Sequence, residues 1–285
     1  MILSMTGYGK AVVELPQKKV TVEIKTLNSK SLDLNVRVPT FYREKELEIR
    51  GKLSRQLVRG KIDFSIFIES TGSEVMTSIN KDVVNNYIDQ LRAIAVTTPE
   101  SLLEIAMRLP DTLKTEREQL DESHWLEIDK TIDDAIAKVI QFRSDEGKVL
   151  WQDFTDRIKA IQQLSDEVIG LDKERIQQMR ERLEKSVSDL KQTVDENRFE
   201  QELMYYLEKL DITEEKVRLN NHLEYFLQEL NSNDSNGKKL GFISQEIGRE
   251  INTTGSKSNF APMQKVVVQM KDELEKIKEQ LLNVL

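Results

Sequence analysis

The chain has 285 residues, of which 38% are hydrophobic and 32% are charged, and it contains no cysteine. This length allows two domains or one elongated molecule, and the high charged fraction suits long solvated helices. Disulfides and cysteine-ligated metal sites are excluded. No signal peptide is visible at the start, and no apolar stretch approaches the ~18 residues of a membrane helix. We therefore expect a soluble, cytoplasmic protein.

The formal net charge of −8 is unevenly distributed along the chain. Residues 1–70 contain 13 Lys/Arg and 8 Asp/Glu, and residues 234–265 contain five basic and three acidic residues. A polyanionic ligand is steered by the local field rather than by the total charge. These two regions are therefore the places where we expect RNA or another phosphate ligand to dock.

The N-terminal region has the pattern of a βββαβα unit. Hydrophobic residues with period two predict strands over residues 10–15, 19–38 and 62–68, the second stretch being divided by a turn at residues 28–30. A helix is predicted over residues 42–58. Its apolar face is expected to consist of Leu47, Ile49, Leu53, Leu57 and Val58. Asn80 is a candidate N-cap for a second helix over residues 81–96.

From residue 101 onward the pattern is almost entirely helical. The amphipathic region over residues 124–194 would be ~100 Å long as one helix, so we expect an antiparallel hairpin that turns near Gly170. Helices are also predicted over residues 199–210 and 213–231, the second capped by Thr213. The last helix has an apolar heptad seam that requires a partner, either internal or in another subunit. Its members are Met263, Val267, Met270, Leu274, Ile277, Leu281 and Val284.

Together these elements predict an α+β fold with three parts. Residues 1–97 form a basic α+β domain for RNA binding or oligomerisation, and its mixed β-sheet is compatible with the second domain of ribosomal protein S5. Residues 98–198 form a helical segment with the long hairpin, and residues 199–285 form a helical domain that carries the candidate catalytic site.

The most informative segment lies over residues 241–258. Glu246 and Glu250 are four residues apart, so on a helix their carboxylates share one face. Further polar residues follow where we expect the helix to end, and these are Asn252, Thr253, Ser256 and Lys257. Such a mixture suits a metal ion and a phosphate. The plainer alternative is a solvated glutamate pair, a helix stop at Gly255 and an ordinary surface lysine.

A second set of candidates lies on the preceding helix, where His222 follows Arg218 by one turn. We expect hairpin packing to bring together six residues around one loop: Arg218, His222, Glu246, Arg249, Glu250 and Lys257. This combination fits metal-assisted phosphodiester cleavage. Two glutamates make an incomplete metal site, so a third carboxylate is needed, either Asp211, Glu215 or Glu224 or one from a partner subunit. His124 is interpreted as a surface residue.

Several segments resemble the YicC/YloC family. They are residues 4–9 (SMTGYG), 23–33 (EIKTLNSKSLD), 59–63 (RGKID), 145–147 (DEG), 211–222 (DITEEKVRLNNH) and 249–258 (REINTTGSKS). The resemblance covers both ends of the chain in the family's order. It implies a metal-dependent endoribonuclease of the bacterial cytoplasm that assembles as a ring-like homo-oligomer, a hexamer. The sequence departs from the family pattern at Gly248, where asparagine is frequent, and at Phe260, where an acidic residue is frequent.

The resulting hypothesis is internal cleavage of single-stranded or structured RNA with Mn²⁺ or Mg²⁺. Glu246 and Glu250 hold the metal, and His222 moves a proton or provides a third ligand. Arg218, Arg249 and Lys257 bind the scissile phosphate. The remaining RNA contacts are expected from Lys25, Lys30, Arg37, Arg59 and Lys61 in the N-terminal domain and from Asn252, Thr253 and Ser256.

Two other functions stay open at this point. The first is an RNA-binding or chaperone oligomer without catalysis, for which the glutamate pair is structural. Its signature is RNA binding that weakens steeply with salt and no cleavage. The second is a coiled-coil scaffold, favoured by the heptad seam and the acidic middle of the chain. That alternative leaves residues 249–258 without an explanation.

Overall fold

A computed structural model describes residues 2–70, 77–115, 122–189, 196–232 and 236–285. The α+β fold class is confirmed, with a sheet at the N-terminus, one very long helix and a helical C-terminal region. The β-strands are β1 (Gly7–Leu15), β2 (Lys18–Leu27), β3 (Leu32–Arg37), β4 (Gly60–Ser70), β5 (Thr77–Ile79) and β6 (Leu113–Thr115). The helices are α1 (Glu46–Leu57), α2 (Lys81–Ile94), α3 (Pro99–Met107), α4 (Glu122–Asp189), α5 (Glu196–Lys209), α6 (Thr213–Leu230), α7 (Gly237–Lys257) and α8 (Ala261–Leu281).

The N-terminal sheet has the strand order β1-β2-β4-β3, in which β3 and β4 are parallel and the other pairs are antiparallel. Its strands alternate between buried and more exposed residues, as the period-two pattern predicts. The inner face packs on α1 and on the first half of α4 to form one core. The outer face carries polar and charged side chains together with a few exposed aromatic residues.

The predicted helix over residues 42–58 is shorter than expected, because residues Thr40–Lys45 form a 3₁₀ turn before α1. Ile49, Leu53 and Leu57 are buried as predicted, whereas Leu47 is 82% exposed and Val58 is 65% exposed. At 100° per residue, Leu47 lies about 200° from Ile49 and so faces away from the sheet. Val58 follows the helix at a positive φ of 56°. The placement of these two residues in the core was wrong.

The long helical region does not turn at Gly170, so that part of the prediction was wrong. The helix α4 runs without a break from Glu122 to Asp189, about 100 Å at 1.5 Å per residue. Its first half packs in the core of the sheet, and the part from Leu150 to Val168 packs in a second core. Burial in these two cores stabilises the straight helix by more than the ~1 kcal/mol that an interior glycine costs.

The chain after α4 returns along the same helix, since Arg180 of α4 pairs with Glu200 of α5 at 3.2 Å. Leu190 and Val194, which the prediction included in the long region, lie outside the described residues. No helix in the described part of the chain has both the length and the apolar composition needed to cross a membrane.

The second core is formed by α4, α6, α7 and α8. All seven residues of the predicted heptad seam are buried, none more than 7% exposed. The seam packs against α4 and α7 of the same chain, which answers the question of its partner. The predicted cap of α6 is wrong by one residue, because Thr213 is the first helical residue and Ile212 is the N-cap. Asp211 accepts hydrogen bonds from the Thr213 backbone N–H at 3.1 Å and from the Thr213 hydroxyl at 2.7 Å.

The two ends of the chain meet on α4 between the two cores. The Met5 N–H donates to the Asn283 carbonyl at 2.8 Å, and the Leu285 N–H donates to the Leu3 carbonyl at 2.9 Å. Gly147 of α4 allows this approach, because a Cβ there would lie 2.2 Å from the Ile2 carbonyl oxygen. The two cores are therefore joined both by a continuous helix and by paired chain ends.

Candidate active site

Two ion pairs fix how α6 and α7 lie against each other. Lys257 Nζ lies 2.8 Å from Glu215 Oε1, and Lys239 Nζ lies 2.5 Å from Glu229 Oε1. Because the first pair joins the start of α6 to the end of α7 and the second joins the opposite ends, the helices are antiparallel. The ion pairs thereby set a register for every residue between them.

His222 lies midway between Glu215 and Glu229, at steps of seven residues, so all three share one stripe of α6. On α7, Lys239 and Lys257 are five full turns apart and point in the same direction. Glu246 and Glu250 lie within about 20° of that direction at 100° per residue. They stand on either side of the level of His222.

The register set by the two ion pairs puts His222 and the glutamate pair at similar levels along the seam between α6 and α7. Within the described part of the chain, no direct hydrogen bond or ion pair links the imidazole to either carboxylate. His222, Glu246 and Glu250 therefore lie along the same seam without a direct bond between the imidazole and a carboxylate.

The two glutamates have different environments although they share a face. Glu246 is on the solvent side, 50% exposed at its side chain, and lies 4.0 Å from Arg249. Glu250 is buried at 5% relative exposure, and no described residue forms a hydrogen bond or ion pair with its carboxylate. Because Glu215 Oε2 is the one buried side-chain oxygen without a partner among the described residues, the Glu250 carboxylate oxygens keep contact with solvent, where a cation can reach them.

Lys257 is fixed at the end of the seam by the start of α6. Its ammonium group donates to the Asp211 carbonyl oxygen at 2.7 Å in addition to its ion pair with Glu215. Glu215 is only 5% exposed, and its second carboxylate oxygen, Oε2, is the one buried side-chain oxygen without a partner among the described residues. Hydrogen bonding from Thr213 lowers the pKa of Asp211 below its usual value, so this carboxylate is ionised at neutral pH.

Residues of α4 complete this cluster from the other side. Arg175 is 4% exposed, pairs with Asp172 at 2.9 Å and donates from Nη1 to the Lys257 carbonyl oxygen at 3.2 Å. Asp172 also pairs with Lys216 of α6 at 3.2 Å. No sequence pattern selects Arg175 or Asp172, because both are about 80 residues from Lys257 along the chain.

The two candidate arginines are exposed and near the seam. Arg218 pairs with Glu214 on its own helix, and Arg249 has a side chain that is 76% exposed. Exposed ion pairs of this kind are weak, so both guanidinium groups can exchange their partners for a phosphate. Of the three carboxylates considered as a third metal ligand, Glu224 is exposed outside the stripe, Asp211 caps α6 and Glu215 holds Lys257.

The helix α7 does not end before the predicted polar residues, and that expectation was wrong. It continues to Lys257, with Ser258 as its C-cap, so Asn252, Thr253 and Ser256 are helical. The hydroxyl groups of Thr253 and Ser256 donate to backbone oxygens one turn earlier, at 3.0 Å and 2.8 Å. Asn252 is exposed. The Asn252 side chain therefore keeps its donors for a ligand, whereas the hydroxyl groups of Thr253 and Ser256 remain available only as acceptors.

Gly255 is a packing position and does not stop the helix. It is buried inside α7, where a Cβ would lie 3.0 Å from the Val267 side chain of α8. Gly248, where the sequence departs from the family pattern, is also a packing position, because a Cβ there would lie 3.2 Å from the Leu274 side chain. Phe260, the other departure, is the buried N-cap residue of α8 and belongs to the second core.

The described residues contain no group of three or more acidic or histidine side chains placed to hold a metal ion. One or two carboxylates nevertheless suffice where Mg²⁺ keeps several water ligands and is bound together with substrate phosphates. Glu246 and the partner-free Glu250 match that ligand chemistry. These two residues therefore fit a metal ion that they would hold together with a phosphate group of the substrate.

The N-terminal candidates lie on the outer face of the sheet and at its edge. Lys25 on β2 is paired in register with Asp63 on β4, and Arg37 ends β3. These side chains line a depression of about 520 Å³ together with the exposed Phe67. The other members, near the β2–β3 connection, are Lys30, Arg59 and Lys61.

The N-terminal candidates and Lys257 are far apart in one chain. The sheet packs on α4 near Val139, whereas Lys257 packs on α4 near Arg175. At 1.5 Å per residue these positions are about 50 Å apart along the helix. The two groups of candidate RNA contacts therefore cannot meet the same nucleotide within one chain.

Comparisons with known proteins cover the whole chain. Residues 2–152 match the family described as endoribonuclease YicC-like, N-terminal region, and residues 168–285 match endoribonuclease YicC-like, C-terminal. A Clostridioides difficile protein named probable endoribonuclease YicC is 33% identical over 293 residues, and a Haemophilus influenzae protein of the same name is 30% identical over 287 residues. Both alignments cover 100% of each chain. This chain belongs to the YicC-like endoribonuclease family.

Proposed function

We propose that the protein is a metal-dependent endoribonuclease whose active site is the seam between α6 and α7. The observation that carries the proposal is the convergence of His222 with Glu246 and the partner-free Glu250, between the two ion pairs that fix the helices. The names of the two relatives support RNA as the substrate. Cytoplasmic location and assembly as a ring-like homohexamer belong to the same proposal.

The proposed roles follow from the position of each group. Glu246 and Glu250 hold Mn²⁺ or Mg²⁺ together with RNA phosphate, and the metal supplies activation of water and charge neutralisation. Arg218, Arg249 and Lys257 bind the scissile phosphate and stabilise the negative charge of its transition state. Imidazole exchanges protons readily near neutral pH, so His222 moves a proton at the attacking or leaving oxygen.

The N-terminal sheet is assigned to RNA binding away from the seam of α6 and α7. Lys25, Lys30, Arg37, Arg59 and Lys61 bind the backbone of a long RNA about 50 Å from Lys257 of the same chain. A homo-oligomer would shorten this distance by bringing the sheet of one subunit near the seam of another. Asn252 adds one polar contact on another face of α7, since it lies about 200° around the helix from Glu250.

An RNA-binding protein without cleavage is the second candidate. The observation that favours it is the outer face of the sheet, where Lys25 lies 5.9 Å from the ring of the exposed Tyr8 and near the exposed Phe67. Aromatic rings next to basic side chains can stack RNA bases without any contribution from α7.

End-labelled RNA incubated with purified protein in Mn²⁺, Mg²⁺ or EDTA tests the proposal. We expect internal cuts that EDTA abolishes and that Glu250→Gln reduces about 100-fold or more, because the isosteric amide removes the anionic ligand. The matched control is Glu275→Gln, which alters an exposed glutamate of α8 paired with Lys278. RNA that is bound but never cut would support the second candidate, and cuts unaffected by EDTA and by Glu250→Gln would refute the metal assignment.

A further inference from the structure

Lys257 is the only one of the proposed phosphate-binding cations whose backbone and ammonium group are both held by other elements in the described structure. The ammonium is fixed by Glu215 and the Asp211 carbonyl, at 2.8 Å and 2.7 Å. The backbone carbonyl accepts a hydrogen bond from Arg175, which lies 82 residues earlier on α4. Arg218 and Arg249, in contrast, pair only with glutamates on their own helices.

We propose that Arg175 and Glu215 are positioning residues that hold Lys257 at the end of the seam for phosphate binding. This inference rests on the proposed function. Arg175 fixes the last residue of α7 against α4, and Glu215 together with the Asp211 carbonyl fixes the ammonium group at the start of α6. Neither residue contacts RNA itself.

Burial and charge support this assignment. Arg175 and Glu215 are 4% and 5% exposed, whereas the Lys257 side chain remains 29% exposed and can be reached by a ligand. A packed guanidinium that uses one arm for Asp172 and another for a carbonyl oxygen is rigid. Glu215 has one carboxylate oxygen on Lys257 and leaves Oε2 without a partner, so this buried carboxylate relies on Lys257 as its charge partner and ties the ammonium group to α6.

The test compares Arg175→Met, Lys257→Ala and the double variant. Each released phosphate contact lowers the slope of log K against log salt for RNA binding by about 0.7 to 0.9. We expect Lys257→Ala to lower the slope by this amount and cleavage about 100-fold. Arg175→Met lowers the slope similarly and cleavage about 10-fold, and the double variant equals Lys257→Ala because the two act through one group.

The matched control is Arg157→Met. Arg157 is also an α4 arginine with two carboxylate partners, Asp153 and Glu273, but it links α4 to α8 away from the seam. We expect its slope and cleavage rate to equal those of the wild type. Thermal melting of all variants identifies any that are unfolded. If Arg175→Met is unfolded, Arg175→Lys replaces it in the test. One ammonium group cannot bond to Asp172 and to the Lys257 carbonyl oxygen as the guanidinium does. We therefore expect smaller losses of the same kind in the salt slope and in the cleavage rate.

Two results would overturn the inference. One is a salt slope and a cleavage rate for folded Arg175 variants equal to those of the wild type. The other is a double variant in which the two losses multiply, since that shows independent action. In both cases a cutting wild-type protein leaves the proposed function intact. Wild-type protein that neither retains nor cuts RNA would overturn the proposed function and the inference with it.

Discussion

The two cores of the protein differ in how completely their buried charged groups are hydrogen-bonded. In the N-terminal core, Arg143 is 2% exposed, and its guanidinium donates to the carbonyl oxygens of Met5, Leu57 and Arg59 at 3.0 to 3.3 Å. Burial lowers its pKa to about 10, so it remains a cation at neutral pH. In the C-terminal core, Glu250 has no partner and Glu215 has one unpartnered oxygen, within the residues described.

This difference contrasts a charge bonded to several backbone oxygens with the carboxylates of the proposed site. A buried charge with hydrogen-bond partners stabilises the elements around it, and Arg143 of α4 joins the N-terminal segment, the end of α1 and Arg59 just before β4. A buried charge with missing partners costs stability and persists where a ligand supplies them. The seam of α6 and α7, where we propose the active site, therefore differs from the N-terminal core in leaving a buried carboxylate oxygen without a partner in the described structure.

The largest expected effect comes from removing the satisfied charge. Arg143→Leu leaves the Arg59 carbonyl oxygen without a donor, whereas the Met5 carbonyl keeps the Thr26 hydroxyl and the Leu57 carbonyl keeps the Arg59 N–H. We therefore expect the free energy of unfolding to fall by about 1–3 kcal/mol. Urea denaturation measures this change. A loss under about 1 kcal/mol would show that the Arg143 hydrogen bonds do not hold the core together and would remove the contrast between the cores.

Removing the unsatisfied charge should have the opposite sign. Glu250→Leu keeps the volume and replaces a side chain that is 5% exposed and has no hydrogen-bond partner with an apolar one, so we expect the free energy of unfolding to rise by up to about 1 kcal/mol while RNA cleavage is lost. Urea denaturation in the absence of divalent metal, together with the cleavage assay, gives both values. Marked destabilisation would mean that Glu250 is structural, like Arg143.

The smallest effect concerns the helix that joins the two cores. Gly170 has open space around it, with no atom within 4 Å of an added Cβ. Gly170→Ala should stabilise the protein by about 0.5–1 kcal/mol, because alanine favours the helix and restricts the unfolded chain. Thermal melting and helix content by circular dichroism check this result. Destabilisation would indicate a turn at Gly170 and two halves that are not rigidly linked.

Much of the fold follows from local patterns. Alternation predicted the strands of the sheet, Asn80 was correctly identified as the cap of α2, and the heptad spacing from Met263 to Val284 predicted a buried seam. These features depend on period and on short-range hydrogen bonds, which sequence alone records. The error at Gly170 has the same origin, since local propensity penalises glycine by ~1 kcal/mol and carries no information about the two cores that keep α4 straight.

The sequence by itself determined which residue types are available near the seam and that Glu246 and Glu250 share one face of a helix. It could not show that one of them is buried without a partner and the other exposed, because burial depends on packing against α6 and α8. Nor could it select Arg175, whose contact with Lys257 exists only because α4 runs straight between the two cores. Long-range contacts of this kind are decided by tertiary packing, and they determine which cations are held in place and which remain mobile on the surface.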